Sequence, residues 1–239
     1  MITIAKHNKN PKVLVVTPLL PGHKISRDTK ITIKRNNTPI LCLLSEGNNN
    51  IPTNIQNGLN WYKENVKDKI PYILPLDRDI VLGRSMIDRM VFVLDIVPDN
   101  VAFTYANFEF KGVVDRSFPA IPYDINLLLQ NNYISSNSLI KIDKLNIIGG
   151  FVTEEKYRRL LDWVLWLRFF DYGYVGLPTP NANFVAISSS EDISAGTNED
   201  FIKKRSLILH EVIKPLMTKH YQPPPEEEAH NILTFEDVL

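Results

Sequence analysis

The sequence has no surplus of charge of either sign: 27 Lys and Arg meet 27 Asp and Glu over 239 residues, for a formal net charge of zero. Without a basic excess there is no electrostatic footprint for bare nucleic acid or an anionic membrane, so neither is expected as a first partner. Cysteine is nearly absent. The one thiol, Cys42, excludes an intrachain disulfide, and its place in the apolar run 40–44 reads as a buried structural side chain in a reducing compartment. No run approaches the roughly 20 apolar residues of a membrane span, and residues 1–7 lack the apolar core of a secretory signal. A cytoplasmic protein is expected. The five histidines show no ligand spacing to one another or to Cys42, which argues against a zinc site, and no internal repeat is present. Asn, Ile and Lys are abundant, which points to an AT-rich genome of viral or bacterial origin.

What is present is a globular composition, 44% hydrophobic and 23% charged, at a length that buries a full core. One domain over 1–198 is expected, followed by a helix over 199–221 packed on it or extending it, and a Pro/Glu-rich tail or linker over 222–239. Continuous apolar runs at 12–17, stopped by Pro18, and at 40–44 read as strands buried on both faces. A third run at 72–76 contains Pro75, and 101–105 returns to strand character. Between them Thr53 and Gln56 have capping-box spacing for a helix over 54–68, and Ser85 caps another ending near Leu94. Further on, 133–141 reads as extended, 145–148 as a short helix closed by Gly149-Gly150, and 154–170 as one strong helix. A last helix over 199–220 is kinked at Pro215. This alternation predicts an α/β layer fold whose ligands gather beyond the carboxyl ends of the strands.

Two constellations carry chemistry. Asp77 and Asp79, two residues apart after a buried strand, point to one side of an extended segment while Arg78 points to the other. Such a pair suits a hard cation, Mg²⁺ or Mn²⁺, that completes its shell with water and phosphate oxygens; a solvated loop accounts for the same residues. In the 154–170 helix, Tyr157, Leu160, Leu161, Val164, Leu165 and Phe169 form the apolar stripe, and Asp162 lies off it beside Trp163 and Trp166. A carboxylate beside aromatic surface can act as general base toward a hydroxyl while the rings pack on a sugar; the alternative is an exposed Asp with two Trp completing the core.

Taken in order, these pieces resemble family 2 glycosyltransferases of the GT-A type, over residues 12–183. Val15-Val16-Thr17-Pro18 is similar to the family's nucleotide-binding start, and Ser45-Glu46-Gly47 stands where an acidic Asp-Gly-Ser segment is usual. Leu76-Asp77-Arg78-Asp79 resembles the metal-binding Asp-x-Asp, residues 134–141 followed by Ile148-Gly149-Gly150-Phe151 the acceptor-side stretch ending in Gly-Gly-Phe, and Leu161-Asp162-Trp163 the helix bearing the catalytic base. The resemblance implies a GT-A, Rossmann-like fold with a mostly parallel central sheet flanked by helices. It implies an inverting, hexosyltransferase-type transfer from a nucleotide sugar, UDP-sugar foremost, to a hydroxyl of a glycan or other acceptor.

In that scheme Asp162 is the base, and Asp79 with Asp77 holds Mn²⁺ or Mg²⁺. Thr17, Pro18, Leu19, Glu46, Asp77, Arg78 and Asp79 bind the donor, and Gly149, Gly150 and Trp163 face the acceptor. The sequence departs from the pattern where Leu161 replaces the first acid of a Glu-Asp pair, where Glu46 replaces Asp, and in having no His between 171 and 198. Residues 171–199, rich in Gly, Ser and Asn, are expected to be a loop that closes over the donor. Two other readings remain at this point: a non-catalytic nucleotide-sugar or glycan-binding module of a larger enzyme, and a sugar-phosphate nucleotidyltransferase. The latter needs a Gly-rich, Arg-bearing phosphate loop, which Leu20-Pro21-Gly22-His23-Lys24 matches poorly.

Overall fold

The computed structural model describes residues 1–47, 50–112, 115–188 and 198–221; the proposed tail, 222–239, lies outside them. The strands are β1 (Ile2–His7), β2 (Val13–Leu19), β3 (Ile40–Glu46), β4 (Tyr72–Pro75), β5 (Ile80–Leu82), β6 (Val101–Gly112), β7 (Arg116–Phe118), β8 (Leu139–Lys141) and β9 (Val175–Ser188). They form one sheet in the order β1-β3-β2-β4-β8-β6-β9-β5, with β7 paired to β6. β2 runs parallel to β3 and β4, and β6 runs parallel to β9. The remaining five pairings are antiparallel, so the sheet is mixed and not mostly parallel, with the parallel set β3-β2-β4 within it.

The helices are α1 (Arg27–Lys34), α2 (Ile51–Asn65), α3 (Met86–Ile96), α4 (Ile125–Gln130), α5 (Ile142–Ile147), α6 (Leu161–Asp171), α7 (Asn198–Ile208) and α8 (Lys214–His220). Alternation along β2 divides the core into two layers. Leu14 and Val16 join the cluster containing α2 and α6, whereas Val13 and Val15 join the one containing α1 and α3. Cys42 belongs to the second layer, where burial pushes its thiol up to about 12. Among the described residues no helix is long and apolar enough to cross a membrane.

Several boundaries differ from the sequence expectation, each for a physical reason. β2 continues through Pro18. The Val16 carbonyl accepts from Leu76 N on the β4 side, so the amide hydrogen that Pro18 lacks would also face β4, beyond its last pairing at Val16–Pro75. On the other side β2 keeps its register with β3 as far as Leu19–Glu46. The cap of α2 is Asn50, whose side chain accepts from Thr53 N at 3.0 Å, in place of Thr53 itself. The 154–170 helix is broken: a single turn at Glu155–Tyr157 is followed by Arg159 in the left-handed region (φ 79°), and α6 starts afresh at Leu161. Contacts distant in sequence override the helical pattern there, since the Tyr157 hydroxyl donates to Glu211 at 3.0 Å and Arg159 pairs with Asp200 at 3.4 Å.

The 171–199 loop is largely strand. β9 fills Val175–Ser188, while 189–197 lies outside the described residues. Its Pro178-Thr179-Pro180-Asn181 segment, which reads as loop, is a bulge: the register with β6 slips between Tyr105 and Asn107, and Asn181 has φ 57°. The extended reading of 133–141 survives only at β8, because Asn137 and Ser138 fold back on Ser135. The kink expected at Pro215 is a widened turn over Leu209–Ile213, immediately before α8.

Candidate active site

A cavity of about 430 Å³ opens where β2 and β4 end, and Pro18, Leu20, Asp77, Arg78, Asp79 and Asp162 all line it. The segment Asp77-Arg78-Asp79 is fixed at three successive points. Asn137 Oδ1 accepts from Asp77 N at 3.0 Å while its Nδ2 donates to Asp77 Oδ2 at 3.0 Å. The Arg78 carbonyl accepts from Ser26 N at 2.8 Å and Thr29 Oγ1 at 2.9 Å, at the start of α1. The Asp79 carbonyl accepts from Ile187 N of β9 at 3.3 Å. The two carboxylates therefore sit on a pinned backbone, with Asn137, 4% exposed, as the buried clamp.

Asp162 reaches the same cavity from the first turn of α6. Its Oδ1 accepts from Trp163 N at 2.9 Å, and Asn132 supplies a side-chain hydrogen bond. Burial is the main force pushing its carboxyl up to about 6, with the Asp77 carboxylate acting the same way, while the Trp163 and Asn132 hydrogen bonds pull it down. An acid poised near 6 is mostly ionised at neutral pH and still basic enough to share a proton in a transition state.

The other sequence-derived candidates lie elsewhere. Thr17 is wholly buried, and its hydroxyl has no hydrogen-bond partner among the described residues. Leu19 is buried and its carbonyl accepts from Asn54 Nδ2 at 3.0 Å. Glu46 accepts from Gly22 N at 3.0 Å, which ties down the loop after β2. Gly149 and Gly150 terminate α5 with φ of 89° and 90°; a Cβ on Gly150 would meet Gln56 Oε1 at 2.6 Å. None of these lines the cavity. Trp163, expected to face the acceptor, does not line the cavity either. Its ring is 1% exposed and its Nε1 donates to Leu128 O at 2.6 Å, so it is a core side chain; Trp166 is buried likewise and donates to Ile134 O at 3.1 Å.

Asn132, Arg158, Arg159, Phe108, Phe110 and Phe118 also line this cavity and carry no role in the sequence reading, and Asn137 enters it only within the 134–141 stretch of the resemblance. For the phenylalanines a signal existed in the alternation Phe108-Glu109-Phe110; for Asn132 there was none. Among the described residues no group of three His, Cys, Asp or Glu forms a ready metal cage. The donor set here is two half-buried carboxylates on the cavity wall, Asp77 and Asp79. It fits a hard cation of the kind that keeps water and substrate oxygens in its shell.

No protein-family model and no curated protein matches the sequence. Solved structures do match in shape. S. aureus TarS residues 1–349 superposes with a TM-score of 0.58 at 12% identity, covering 89% of this chain and 67% of that one. The same TarS fragment in complex with UDP-GlcNAc gives a TM-score of 0.62 at 12% identity, over 89% of this chain and 68% of that one. The chain therefore shares the Rossmann-like α/β fold of TarS. At this identity the likeness concerns the fold, and the chemistry rests on the residues of the cavity.

Proposed function

We propose that this protein is an inverting glycosyltransferase of hexosyltransferase type, which transfers a sugar from a nucleoside-diphosphate sugar, UDP-sugar foremost, to a hydroxyl of a glycan or other acceptor. The observation that carries this reading is the meeting of Asp162 and the Asp77/Asp79 pair across one cavity at the ends of β2 and β4. A fold shared with a protein whose structure holds UDP-GlcNAc supports it.

In the reaction, Asp162 accepts the proton of the acceptor hydroxyl as its oxygen bonds to the anomeric carbon. The bond from that carbon to the diphosphate oxygen breaks with its electron pair leaving on the diphosphate. One displacement from the face opposite the leaving group inverts the anomeric centre. Asp79, with Asp77, would hold Mn²⁺ or Mg²⁺, which when bound offsets the negative charge of the diphosphate. Asn137 keeps Asp77 in place for that role, and Asn132 with Trp163 N orients the Asp162 carboxylate.

Titration calorimetry of UDP, GDP and their sugar conjugates, with and without Mn²⁺, tests the donor site on wild type and Asp79→Ala. Binding of one nucleotide, strengthened by metal and weakened at least tenfold in the variant, is the expected result. Absence of binding by every nucleotide overturns the proposal. Saturable binding with neither hydrolysis nor transfer across an acceptor panel overturns the catalytic half of it and leaves a binding module.

A further inference from the structure

With Trp163 in the core, the cavity's aromatic surface must come from elsewhere, and β6, β7 and β9 supply it. Phe108 on β6 is in register with Phe118 on β7 and with Phe184 on β9. The Phe108 and Phe118 rings stack at 4.6 Å and 10°, and the Phe108 and Phe184 rings at 5.5 Å and 9°. Phe110, two residues on and therefore on the same face, stands perpendicular to both Phe108 and Phe118 at 5.8 Å. Phe184 is buried, Phe108, Phe110 and Phe118 are half-exposed, and all four line the cavity that contains Asp162. Three half-exposed phenylalanines on a sheet face leave apolar area in water, which a ligand with an apolar face would cover.

We propose that Phe108, Phe110 and Phe118 form the acceptor platform, and that they bind a pyranose ring through its C–H face. This rests on the glycosyltransferase reading given above. The platform lies beyond Asp79, whose carbonyl is held by β9, whereas Pro18 lies on β2. In the sheet β6 is three strands from β2, which at about 4.8 Å per strand is roughly 14 Å. A single nucleobase does not span that distance, so a base at the β2 end leaves the platform to another ring. The positive C–H edges of a pyranose face match the negative faces and apolar bulk of aromatic rings, and an acyclic polyol presents no such flat surface. Arg116, in register with Phe110 and 6.0 Å from the Phe118 ring centre, supplies a polar rim for ring hydroxyls.

Saturation-transfer NMR on the full chain with UDP and Mn²⁺ tests this, using methyl β-glucopyranoside and methyl β-N-acetylglucosaminide as probes and sorbitol as the acyclic control. Transfer to the C–H protons of one pyranoside face, at least fivefold above sorbitol, is expected. Phe110→Ala and Phe118→Leu should each weaken pyranoside binding at least fivefold, with UDP affinity within twofold of wild type; Phe118→Tyr should retain it. Phe118→Leu keeps apolar bulk at the end of a short strand, so it reports the ring itself, and far-UV circular dichroism reports that the variants are folded. Equal binding of sorbitol, or pyranoside binding unchanged in both variants, overturns the platform. Loss of UDP affinity in both assigns these rings to the nucleobase and overturns it as well. Failure of wild type to bind UDP overturns the glycosyltransferase reading instead, a separate outcome from UDP binding without pyranoside binding.

Discussion

Asp162→Asn should stabilise the protein at high pH while removing its activity. The folded carboxyl is pushed up to about 6 from an ordinary 3.8, chiefly by burial. Between those values the native state holds more protons than the unfolded chain, so stability falls as pH rises through this window and is lowest above it. A difference of about two pH units corresponds to about 3 kcal/mol, of which roughly half is reached by pH 5. Asparagine carries no charge to desolvate. Its Oδ1 can keep the 2.9 Å bond from Trp163 N, and Asn132 can turn its amide over to accept from the new Nδ2. Urea unfolding of both proteins at pH 4.5, 6 and 8 measures the effect. The advantage of the variant should grow by about 2 kcal/mol between pH 4.5 and 8, with an upper bound near 3 kcal/mol. A stability difference that stays constant across this range would refute the claim that a half-buried, proton-holding carboxylate occupies this position.

The same group sets an activity profile: kcat/KM should fall below about pH 6 as Asp162 takes up a proton, and Asp162→Asn should lose roughly 10²- to 10⁴-fold in steady-state transfer. A flat profile from pH 5 to 8 excludes it as the base. Asn137→Ala removes both side-chain bonds to Asp77, one of them to a carboxylate, and should lower stability by about 2–4 kcal/mol in urea melts while weakening metal-dependent UDP binding. Trp163→Ala should cost about 3–5 kcal/mol, as expected for a buried aromatic, and calorimetry on the residual folded protein should give an unchanged UDP affinity. Gly150→Ala forces a side chain onto φ 90° and against Gln56 Oε1, which also accepts from Phe151 N, and should lower the thermal midpoint by several degrees.

The elements that could be read from the sequence are those whose signal is local. β2, β3 and β4 are continuous apolar runs because both of their faces are covered, and α2 and α3 keep their helical spacing. β9 was hidden because it carries two prolines and an asparagine in a bulge, so its pairing partner supplies the information that its own residues do not. The broken helix before Leu161 failed for the same kind of reason: Glu211 and Asp200, some fifty and forty residues away, select the turn. Asp77, Asp79 and Asp162 were legible as separate motifs, and their meeting across one cavity follows from strand order.

The error over the aromatic surface has a geometric cause. Neighbours on a helix point about 100° apart, so when Asp162 faces the cavity Trp163 turns away from it, and here that direction is the core. Adjacency in sequence is thus the wrong test for adjacency in a site built on a helix. On a sheet the useful spacing is two along the strand and one across, which brings Phe108, Phe110 and Phe118 together from two strands and sets the buried Phe184 of β9 beside Phe108. Phe118 joins that face only because β7 folds back on β6, a pairing that nothing in the residues 116–118 announces. A substitution that disrupts the β6–β7 pairing without touching a phenylalanine, such as Ser117→Pro opposite Glu109, fixes φ at about −65°, which fits an antiparallel strand poorly, and should loosen Phe118. If the platform is real, that variant weakens pyranoside binding as Phe118→Leu does while leaving UDP affinity intact; if pyranoside binding is indifferent to it, the rings are packing for the sheet and the acceptor lies elsewhere in the cavity.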